Sequence, residues 1–357
     1  MNYTPNQLKS FLESVFTKMD FPIEDAKFIA EVLLRAELRN IPSHGFERIK
    51  DYYNMWKEGR INANPKVKIV HETPSTALVD GDKAIGMVAA RYAMNLCLDK
   101  AETAGSAWVS VRNSNHFSIA GYYAMMALDR DMIGITMTNA NPFVAPTFSL
   151  DRLLGTNPIA IAVPAGEEAP FVADMATTPI ARGKLSIMEK KGEKVIEGFV
   201  QDEHGNPTTD PTAIKRGGAI LPLGGDPQHA SHKGYCLGSM VDILSGVLSG
   251  AQYGPYVPPC VGFLPVLAQG DGIGTGHIFG ALRVDAFQPK EEFKKRMDQW
   301  IRTMKSSRPV SGQKSVRIPG EIEREWELTL SKNGISLLPQ VLANANEVAA
   351  ELGIALL

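Results

Sequence analysis

The feature that most constrains the fold is a change of hydrophobic pattern along the chain. The first 60 residues and those after Pro289 repeat apolar side chains at helical spacing. From Thr76 onward, short strand-like runs alternate with helical stretches, a pattern typical of a layered α/β domain. We therefore predict an α/β domain over residues 75–285, inserted into a helical domain that is built from residues 1–74 and 286–357.

The local pattern also predicts individual elements. Thr4, Pro5 and Gln7 match the N-cap, the first position and the capping box of a helix. A second helix should end near residue 40, because Pro42 disfavours a helical conformation in the residue before it. The predicted strands are 77–79, 107–111, 133–137, 159–163 and 278–282, and the helices are 46–57, 87–104, 119–130, 234–249 and 337–352. In the helix after Pro289, the predicted buried face is Phe293, Met297, Trp300, Ile301 and Met304.

Composition excludes several functional classes. The 37 Lys and Arg residues nearly balance 39 Asp and Glu residues, which excludes binding driven by bulk charge to nucleic acid or anionic membranes. No run approaches 18 apolar residues, so no transmembrane span is predicted. The three cysteines, Cys97, Cys236 and Cys260, form no CxxC pair, which suits a reducing compartment. We expect none of them to take part in the function. We expect a cytoplasmic protein.

Common catalytic and nucleotide motifs do not occur in the sequence. There is no phosphate loop and no G-x-G-x-x-G after an early strand, which disfavours a standard Rossmann domain. The nearest match, residues 272–276, precedes a strand instead of a helix. G-x-S-x-G and H-E-x-x-H are also missing, and the seven histidines show no metal-ligand spacing. No metal site is expected.

Four polar clusters lie beside predicted strands, where α/β proteins commonly bind ligands. Each cluster mixes small residues with hydrogen-bonding side chains, so that backbone and side-chain groups can approach a ligand closely. A single cluster of this kind is more typical of an ordinary turn, whereas four in succession favour a site. The clusters are residues 113–117, 138–142, 155–158 and 174–178, the last of which follows a further strand-like run at 171–173.

His116, in the first cluster, is the best candidate for acid–base chemistry. An imidazole with its ordinary pKa near 6.5 can give and accept a proton at neutral pH. The alternative is a structural histidine at the start of a helix. Sequence alone leaves both interpretations open.

The helical part contributes a candidate anion site. Arg48 and Tyr52 are four residues apart and share a helix face, just after Ser43 and His44. A guanidinium beside a phenol suits a substrate carboxylate, because the planar fork allows two charge-assisted hydrogen bonds. The alternative is a solvated face on which Arg48 pairs with Glu47 or Asp51, and in which Ser43 is a helix N-cap.

A second anion site is predicted where His232 and Lys233 open the helix 234–249. Backbone amides at a helix amino terminus, together with a lysine, suit a pyrophosphate. Lys184 is a further candidate cation. For either lysine alone, simple surface exposure is the commoner situation.

Taken together, these motifs match a known family in their order along the chain. The set resembles the malate/L-lactate dehydrogenases of the non-Rossmann type, a family that also contains ureidoglycolate, sulfolactate and diketogulonate oxidoreductases and a cyclic-imine reductase. The resemblance spans nearly the whole chain. It rests on Ser43-His44-Gly45 with Arg48, residues 113–117, 154–158, 174–177 and 207–211, and His232-Lys233-Gly234-Tyr235.

The resemblance implies a homodimer with a mixed-sheet nicotinamide-binding domain and either NAD or NADP as cofactor. It implies that His116, His44 and Ser43 are catalytic and that Arg48, Tyr52 and Asn139 bind a small anionic substrate. The implied cofactor contacts are Ala140, Thr156, Asn157, Asp174, Met175, Ala176, Lys184, His232, Lys233, Gly320 and Glu321.

The expected function is hydride transfer between a nicotinamide cofactor and a small 2-hydroxy or 2-oxo acid of the malate or L-lactate type. Two enzymatic alternatives remain open at this point: NADPH-dependent reduction of a cyclic imine carboxylate, and a ureidoglycolate- or diketogulonate-type dehydrogenase. A non-catalytic ligand-binding protein is the remote alternative.

Overall fold

The computed structural model describes residues 2–261, 266 and 270–357. Helices and strands alternate through the middle of the chain, and helices predominate at both ends. The helices are α1 (Pro5–Lys18), α2 (Ile23–Leu38), α3 (Ile49–Lys57), α4 (Gly86–Ala104), α5 (Ala120–Met125), α6 (Arg182–Lys191), α7 (Ser231–Asp242), α8 (Lys290–Lys305), α9 (Glu321–Asn333) and α10 (Pro339–Leu352). The strands are β1 (Lys68–Glu72), β2 (Thr76–Ala84), β3 (Ser106–Ser114), β4 (Met132–Thr138), β5 (Ile159–Val163), β6 (Phe171–Met175), β7 (Val200–Gln201), β8 (Pro207–Thr208), β9 (Ala219–Ile220) and β10 (Thr275–Arg283).

The start of α1 confirms the predicted capping box. The hydroxyl of Thr4 accepts from the Gln7 amide at 3.2 Å, and the Gln7 side-chain oxygen accepts from the Thr4 amide at 2.8 Å. Pro5 occupies the first turn. Helix α2 ends at Leu38, close to the predicted stop, and Pro42 begins a short 3₁₀ turn that carries the next polar residues. Local sequence therefore sets the boundaries of both helices.

The main sheet is mixed, as expected for a non-Rossmann fold. Its strand order is β1-β2-β3-β10-β4-β5-β6, in which only the β2–β3 pair is parallel. The late strand β10 lies between β3 and β4 and is antiparallel to both. Consequently β3 and β4 run in the same direction, and their carboxyl ends, Ser114 and Thr138, reach the same edge of the sheet beside the start of β10.

One large apolar core joins the helical segments to the sheet. It includes Leu8 of α1, Leu33 of α2, Met94 of α4, Val109 of β3 and Phe279 of β10, all of them buried. A smaller apolar cluster of separate buried side chains lies around the short sheet β8-β7-β9. Its buried members are Val144, Leu154, Ile180, Leu185, Val195, Val200 and Ile220. The proposed division into a helical and an α/β domain stays a prediction, since both parts contribute to the same core.

Several elements differ from the sequence-based expectation. Strand β1, the short sheet, α6 and α9 were not predicted. On α8, Ile301 is buried as predicted, but Trp300 and Met304 are 42% and 37% exposed. The reason is that α8 docks partly through a polar contact: the Asp298 carboxylate accepts from the amides of residues 166–168 at 2.9–3.1 Å.

Candidate active site

A pocket opens where the ends of β3 and β4 face the helical segment. Two of the four predicted polar clusters meet here directly, since 113–117 follows β3 and 138–142 follows β4. The third cluster contributes Thr156, and the segment after α7 adds a wall that contains Cys260. Residues that line the pocket include His44, His116, Asn139, Asn141, Thr156 and Cys260.

The loop that carries His116 is fixed by close backbone packing. The Asn115 side chain donates to the carbonyls of Lys83 and Ala84 at 3.1 and 3.0 Å. The Gly86 amide donates to the His116 carbonyl at 3.1 Å. A Cβ on Gly86 would lie 2.1 Å from the Asn115 carbonyl oxygen, so only glycine allows α4 to start this close to the loop.

His116 has well-defined polar partners. Its Nδ1 lies 2.7 Å from the Tyr52 hydroxyl and 3.3 Å from the Ser118 amide nitrogen. Its ring stacks on that of His44, with centroids 5.6 Å apart. Burial, with a further contribution from the nearby Arg48 charge, lowers the pKa of His116 well below 6.5. The expectation of an ordinary pKa near neutrality is therefore wrong, because the ring is held in a desolvated site.

Ser43 and His44 lie against this histidine. The Ser43 hydroxyl is 3.0 Å from Nδ1 of His44, and the Ser118 hydroxyl donates to the His44 carbonyl at 2.7 Å. Burial lowers the pKa of His44 to about 3, so this ring is neutral near pH 7. Ser43, His44, Tyr52 and His116 thus form one contiguous group built from two distant parts of the chain.

Arg48 borders the same group. Its Nε donates to the Ser43 carbonyl at 2.8 Å, and Nη1 lies 3.3 Å from Oδ2 of Asp51. The same Nη1 is 3.9 Å from Sγ of Cys260, a pocket residue. The side chain is only 18% exposed. Arg48 therefore pairs with Asp51, as expected for a charged helix face, and it also lies next to the pocket, as expected for a residue that binds a substrate carboxylate.

Asn139 has its side chain engaged by protein groups. Its Nδ2 donates to the Gln252 carbonyl at 2.7 Å, and its Oδ1 accepts from the Gly276 amide at 3.1 Å. A further contact at 3.3 Å joins Nδ2 to Asp242. Asn139 thus fixes the pocket wall to β10 and to the end of α7.

Three of the predicted cofactor segments are tied together by hydrogen bonds. Oδ1 of Asn157 accepts from the Ala140 amide at 3.0 Å, while its Nδ2 donates to the Gly238 carbonyl on α7 at 2.9 Å. The Thr177 amide donates to the Thr156 carbonyl at 2.9 Å. These bonds bring the loops after β4, before β5 and after β6 against α7.

Two helices that begin near this region carry the predicted cations. Helices α6 and α7 both lack a side-chain cap at their amino termini. Lys184 lies in the first turn of α6, and His232 and Lys233 lie in the first turn of α7, all exposed. Uncapped helix amino termini with adjacent cations suit phosphate groups, so this donor set fits the diphosphate of a dinucleotide.

The remaining predicted cofactor residues lie at the edge strand β6. Oδ2 of Asp174 accepts from the Gly121 amide at the start of α5 at 2.7 Å, and Met175 and Ala176 follow it at the strand end. Gly320 packs on Val172, two residues before Asp174. Glu321 pairs with Lys305 at 2.8 Å, so its carboxylate already has a protein partner.

Sequence reasoning missed three residues of this region. Ser118 contacts both His116 and His44, Cys260 contacts Arg48, and Glu37 accepts from the Phe46 amide at 2.7 Å beneath the turn that carries Ser43. Burial raises the pKa of Glu37 to about 7. A charged residue inside the apolar face of α2 was a usable signal for Glu37, whereas no local signal points to Cys260.

Comparison with known proteins places this geometry in a family. The sequence model of the malate/L-lactate dehydrogenases matches residues 3–345. The chain belongs to this family. Dehydrogenases of the family use nicotinamide cofactors. Among the described residues of this family member, no cluster of His, Cys, Asp and Glu could hold a metal ion, and no helix is long and apolar enough to cross a membrane.

Individual members of the malate/L-lactate dehydrogenase family align along nearly the entire chain. A malate dehydrogenase from Pyrococcus horikoshii is 42% identical over 98% of this chain and 95% of its own length. An L-sulfolactate dehydrogenase from Methanocaldococcus jannaschii is 39% identical over 98% of this chain and 97% of its own length. The solved P. horikoshii structure superposes with a TM-score of 0.91, covering 100% of this chain and 97% of its own. The structure of a Δ1-piperideine-2-carboxylate reductase from Pseudomonas syringae superposes with a TM-score of 0.83 at 27% sequence identity, covering 98% of this chain and 100% of its own.

Proposed function

We propose that this protein transfers a hydride between a nicotinamide cofactor and a small 2-hydroxy or 2-oxo acid of the malate or L-lactate type. The observation that carries the proposal is the position of two side chains at one pocket: the His116 imidazole lines it, and the Arg48 guanidinium, only 18% exposed, lies 3.9 Å from Sγ of Cys260 in the pocket wall. The two residues come from different elements, and their chemistry suits the two ends of a 2-oxo acid. The 42% identical malate dehydrogenase supports this substrate class.

In this proposal, each residue of the group has a separate task. Arg48 holds the substrate carboxylate through its guanidinium fork. His116 gives a proton to the substrate oxygen during reduction and takes it back during oxidation. Ser43 and His44 orient the substrate, Tyr52 holds the His116 ring through its hydroxyl, and Asn139 fixes the pocket wall on the substrate side. A reduced nicotinamide, when bound, supplies the hydride.

The cofactor, NAD or NADP, would be held along the connected loops and the two helix amino termini. The diphosphate suits the first turns of α6 and α7, with Lys184, His232 and Lys233. The rest of the proposed contact set is Ala140, Thr156, Asn157, Asp174, Met175, Ala176, Gly320 and Glu321. Backbone groups of Gly320 and Glu321 are the expected contacts, because the Glu321 carboxylate is paired with Lys305.

We further propose a cytoplasmic homodimer. Helix α7 continues into a π-helical turn, Ile243–Val247. Four apolar side chains on this segment are each more than half exposed: Met240, Ile243, Val247 and Leu248. An exposed apolar face of this kind is typical of a protein–protein contact, and a second copy of the chain is the expected partner.

One alternative electrophile has support from the comparisons. The solved Δ1-piperideine-2-carboxylate reductase has the same fold, and a cyclic imine carboxylate needs the same carboxylate clamp and proton donor. Ureidoglycolate and diketogulonate are further substrates of this general type, since each carries a carboxylate beside the reacting carbon.

A steady-state screen tests the proposal. Oxaloacetate, pyruvate, sulfopyruvate and a piperideine carboxylate would each be assayed with NADH and with NADPH. Turnover with at least one 2-oxo acid is expected. Turnover with the imine alone would favour the reductase alternative. If a fluorescence titration detected neither cofactor and no substrate turned over, the protein would instead be a non-catalytic ligand-binding member of the family.

A further inference from the structure

The hydrogen bonds around His116 define which ring nitrogen carries the proton. The Ser118 amide lies 3.3 Å from Nδ1, and a backbone N–H can only donate. Nδ1 must therefore offer its lone pair, and a neutral His116 carries its hydrogen on Nε2. The Tyr52 hydroxyl, 2.7 Å from the same Nδ1, is then oriented as a second donor.

The surroundings of His116 oppose a cationic ring. The titratable groups that face it are Arg48, His44, His277 and Tyr52. Arg48 is already positive, the His44 ring stacks on His116 with centroids 5.6 Å apart, and no carboxylate is among these groups. Burial lowers the pKa values of His44 and His277 to about 3, so neither ring is charged near neutral pH. A second proton on His116 would gain no partner here, which agrees with its strongly lowered pKa.

A neutral imidazole cannot give up its Nε2 proton alone, since that would leave an imidazolate. The nearest group that can compensate is Tyr52, which is fully buried and lies one helical turn after Arg48. The guanidinium of Arg48 favours negative charge on the phenol oxygen, although burial raises the pKa of Tyr52 overall. A Tyr52 phenolate is thus disfavoured at rest and assisted by Arg48 when it forms transiently.

We infer that His116 works as a neutral Nε2–H imidazole and that Tyr52 returns the lost proton through Nδ1. This inference rests on the proposed function. During reduction, the Nε2–H bond breaks as an O–H bond forms on the substrate. The Tyr52 O–H bond breaks as an Nδ1–H bond forms, so the ring stays neutral. The resting state returns when Nε2 takes a proton from a solvent water, which leaves to the bulk as hydroxide, and Nδ1 gives its proton back to the phenolate. Oxidation follows the reverse order.

The resting state can be tested without substrate or cofactor. Nitrogen NMR of the enzyme labelled with ¹⁵N-histidine distinguishes a protonated from an unprotonated ring nitrogen. For His116, assigned with a His116→Gln variant, we expect a protonated Nε2 and an unprotonated Nδ1 from pH 6 to 8. A neutral ring with its proton on Nδ1, or a cationic ring at pH 7, would overturn the inference and leave the proposed function in place.

The relay is tested with Tyr52→Phe, which removes only the hydroxyl. We expect kcat to fall about 10²-fold or more, as for the loss of a proton-transfer partner. The KM for the 2-oxo acid should change little, and the Nε2–H tautomer should persist because the Ser118 amide remains. The matched control is Tyr53→Phe on the same helix, whose hydroxyl donates to Glu351 at 2.8 Å away from the pocket.

The two kinetic constants separate the relay from simpler roles. A raised KM with unchanged kcat would mean that Tyr52 binds the substrate carboxylate, which contradicts the relay. Full kcat in Tyr52→Phe would contradict it as well. Cofactor binding measured by fluorescence verifies that the variant is folded. If His116→Ala itself kept full turnover, the proposed function would fail independently of the tautomer.

Discussion

At the scale of single residues, the candidate site depends on two side chains, one of which must be charged and the other neutral. Arg48 must keep its charge to hold an anion, and its bonds to the Ser43 carbonyl and to Asp51 fix its position. His116 is neutral, because burial and the Arg48 charge both lower its pKa. A fixed cation beside a neutral proton donor suits a substrate that has a carboxylate next to a carbonyl.

His116→Ala should reduce kcat by roughly 10²–10⁴-fold, because it removes the group that moves a proton at the substrate oxygen. Cofactor affinity should be unchanged. Steady-state kinetics with a fluorescence titration of the cofactor would measure both quantities. Unchanged turnover would remove His116 from the mechanism.

Arg48→Ala should weaken binding of the 2-oxo acid by about 1.5–3 kcal/mol, the range for a hydrogen bond to a charged group. This corresponds to a KM raised roughly tenfold to 150-fold, with a smaller effect on kcat. Arg35→Ala is the matched control, since Arg35 pairs with Glu327 at 2.6 Å elsewhere in the chain. Equal effects in both variants would indicate loss of stability instead of loss of a substrate contact.

At the scale of secondary-structure elements, α2 supports the site through one buried carboxyl group. Glu37 accepts from the Phe46 amide at 2.7 Å and packs against Gly45, so it fixes the turn that carries Ser43 and His44. Burial raises the pKa of Glu37 from 4.5 to about 7. Between these values the folded state binds more protons than the unfolded state, so stability must fall as the pH rises.

Glu37→Gln should remove this pH dependence while keeping an oxygen that accepts from Phe46. The wild type should lose about 3 kcal/mol of unfolding free energy through Glu37 between pH 4.5 and pH 8, given the raised pKa. Denaturant unfolding at several pH values would measure the difference in slope between the two proteins. The exposed Glu24→Gln on the same helix is the control. Parallel slopes for Glu37→Gln and the wild type would contradict the account.

Helices and strands that follow from short-range sequence patterns could be predicted from the sequence. The order in which the strands pair in the sheet could not. The capping box of α1 and the strands β2, β3, β4, β5 and β10 follow from short-range patterns. The position of β10 between β3 and β4 depends on contacts that span more than 100 residues, for which a single sequence gives no register. Strands β7, β8 and β9 have two residues each, too few to show a period.

The candidate site divides in the same way. Polar residues after strands marked His116 and the 138–142 loop correctly as pocket residues. The contact between Tyr52 and His116 joins residues 64 positions apart, and that between Arg48 and Cys260 joins residues 212 apart. Only the folded chain brings these pairs together. The lowered pKa of His116 is likewise a property of its surroundings and could not be predicted from its sequence neighbours.

At the scale of the whole molecule, the exposed apolar face of α7 and its π-helical continuation is one feature of the described residues that a single chain leaves unexplained. The same helix bonds to Asn157 through Gly238 and, near its end, to Asn139 through Asp242. Pairing of two chains through this face would therefore stabilise the pocket wall and the proposed cofactor loops together.

The double variant Ile243→Asp with Val247→Asp should convert a dimer into a monomer, because two charges would be buried in the proposed contact. Light scattering should give twice the chain mass of 38.8 kDa for the wild type and the single mass for the variant. Val310→Asp, at an exposed apolar position outside this face, should stay dimeric. A monomeric wild type, or a dimeric double variant, would refute this interface.

Hydride transfer from the nicotinamide to the substrate carbon can be followed directly with an isotope label. The reduced cofactor, deuterated at the transferred position of the nicotinamide, would be mixed with enzyme and an unlabelled 2-oxo acid, and the product analysed by mass spectrometry. We expect a 2-hydroxy acid that carries one deuterium on the carbon bearing the hydroxyl, formed by the wild type and formed much more slowly by His116→Ala. A product without deuterium at that carbon, or no product with any 2-oxo acid and either cofactor, would contradict the proposed hydride transfer.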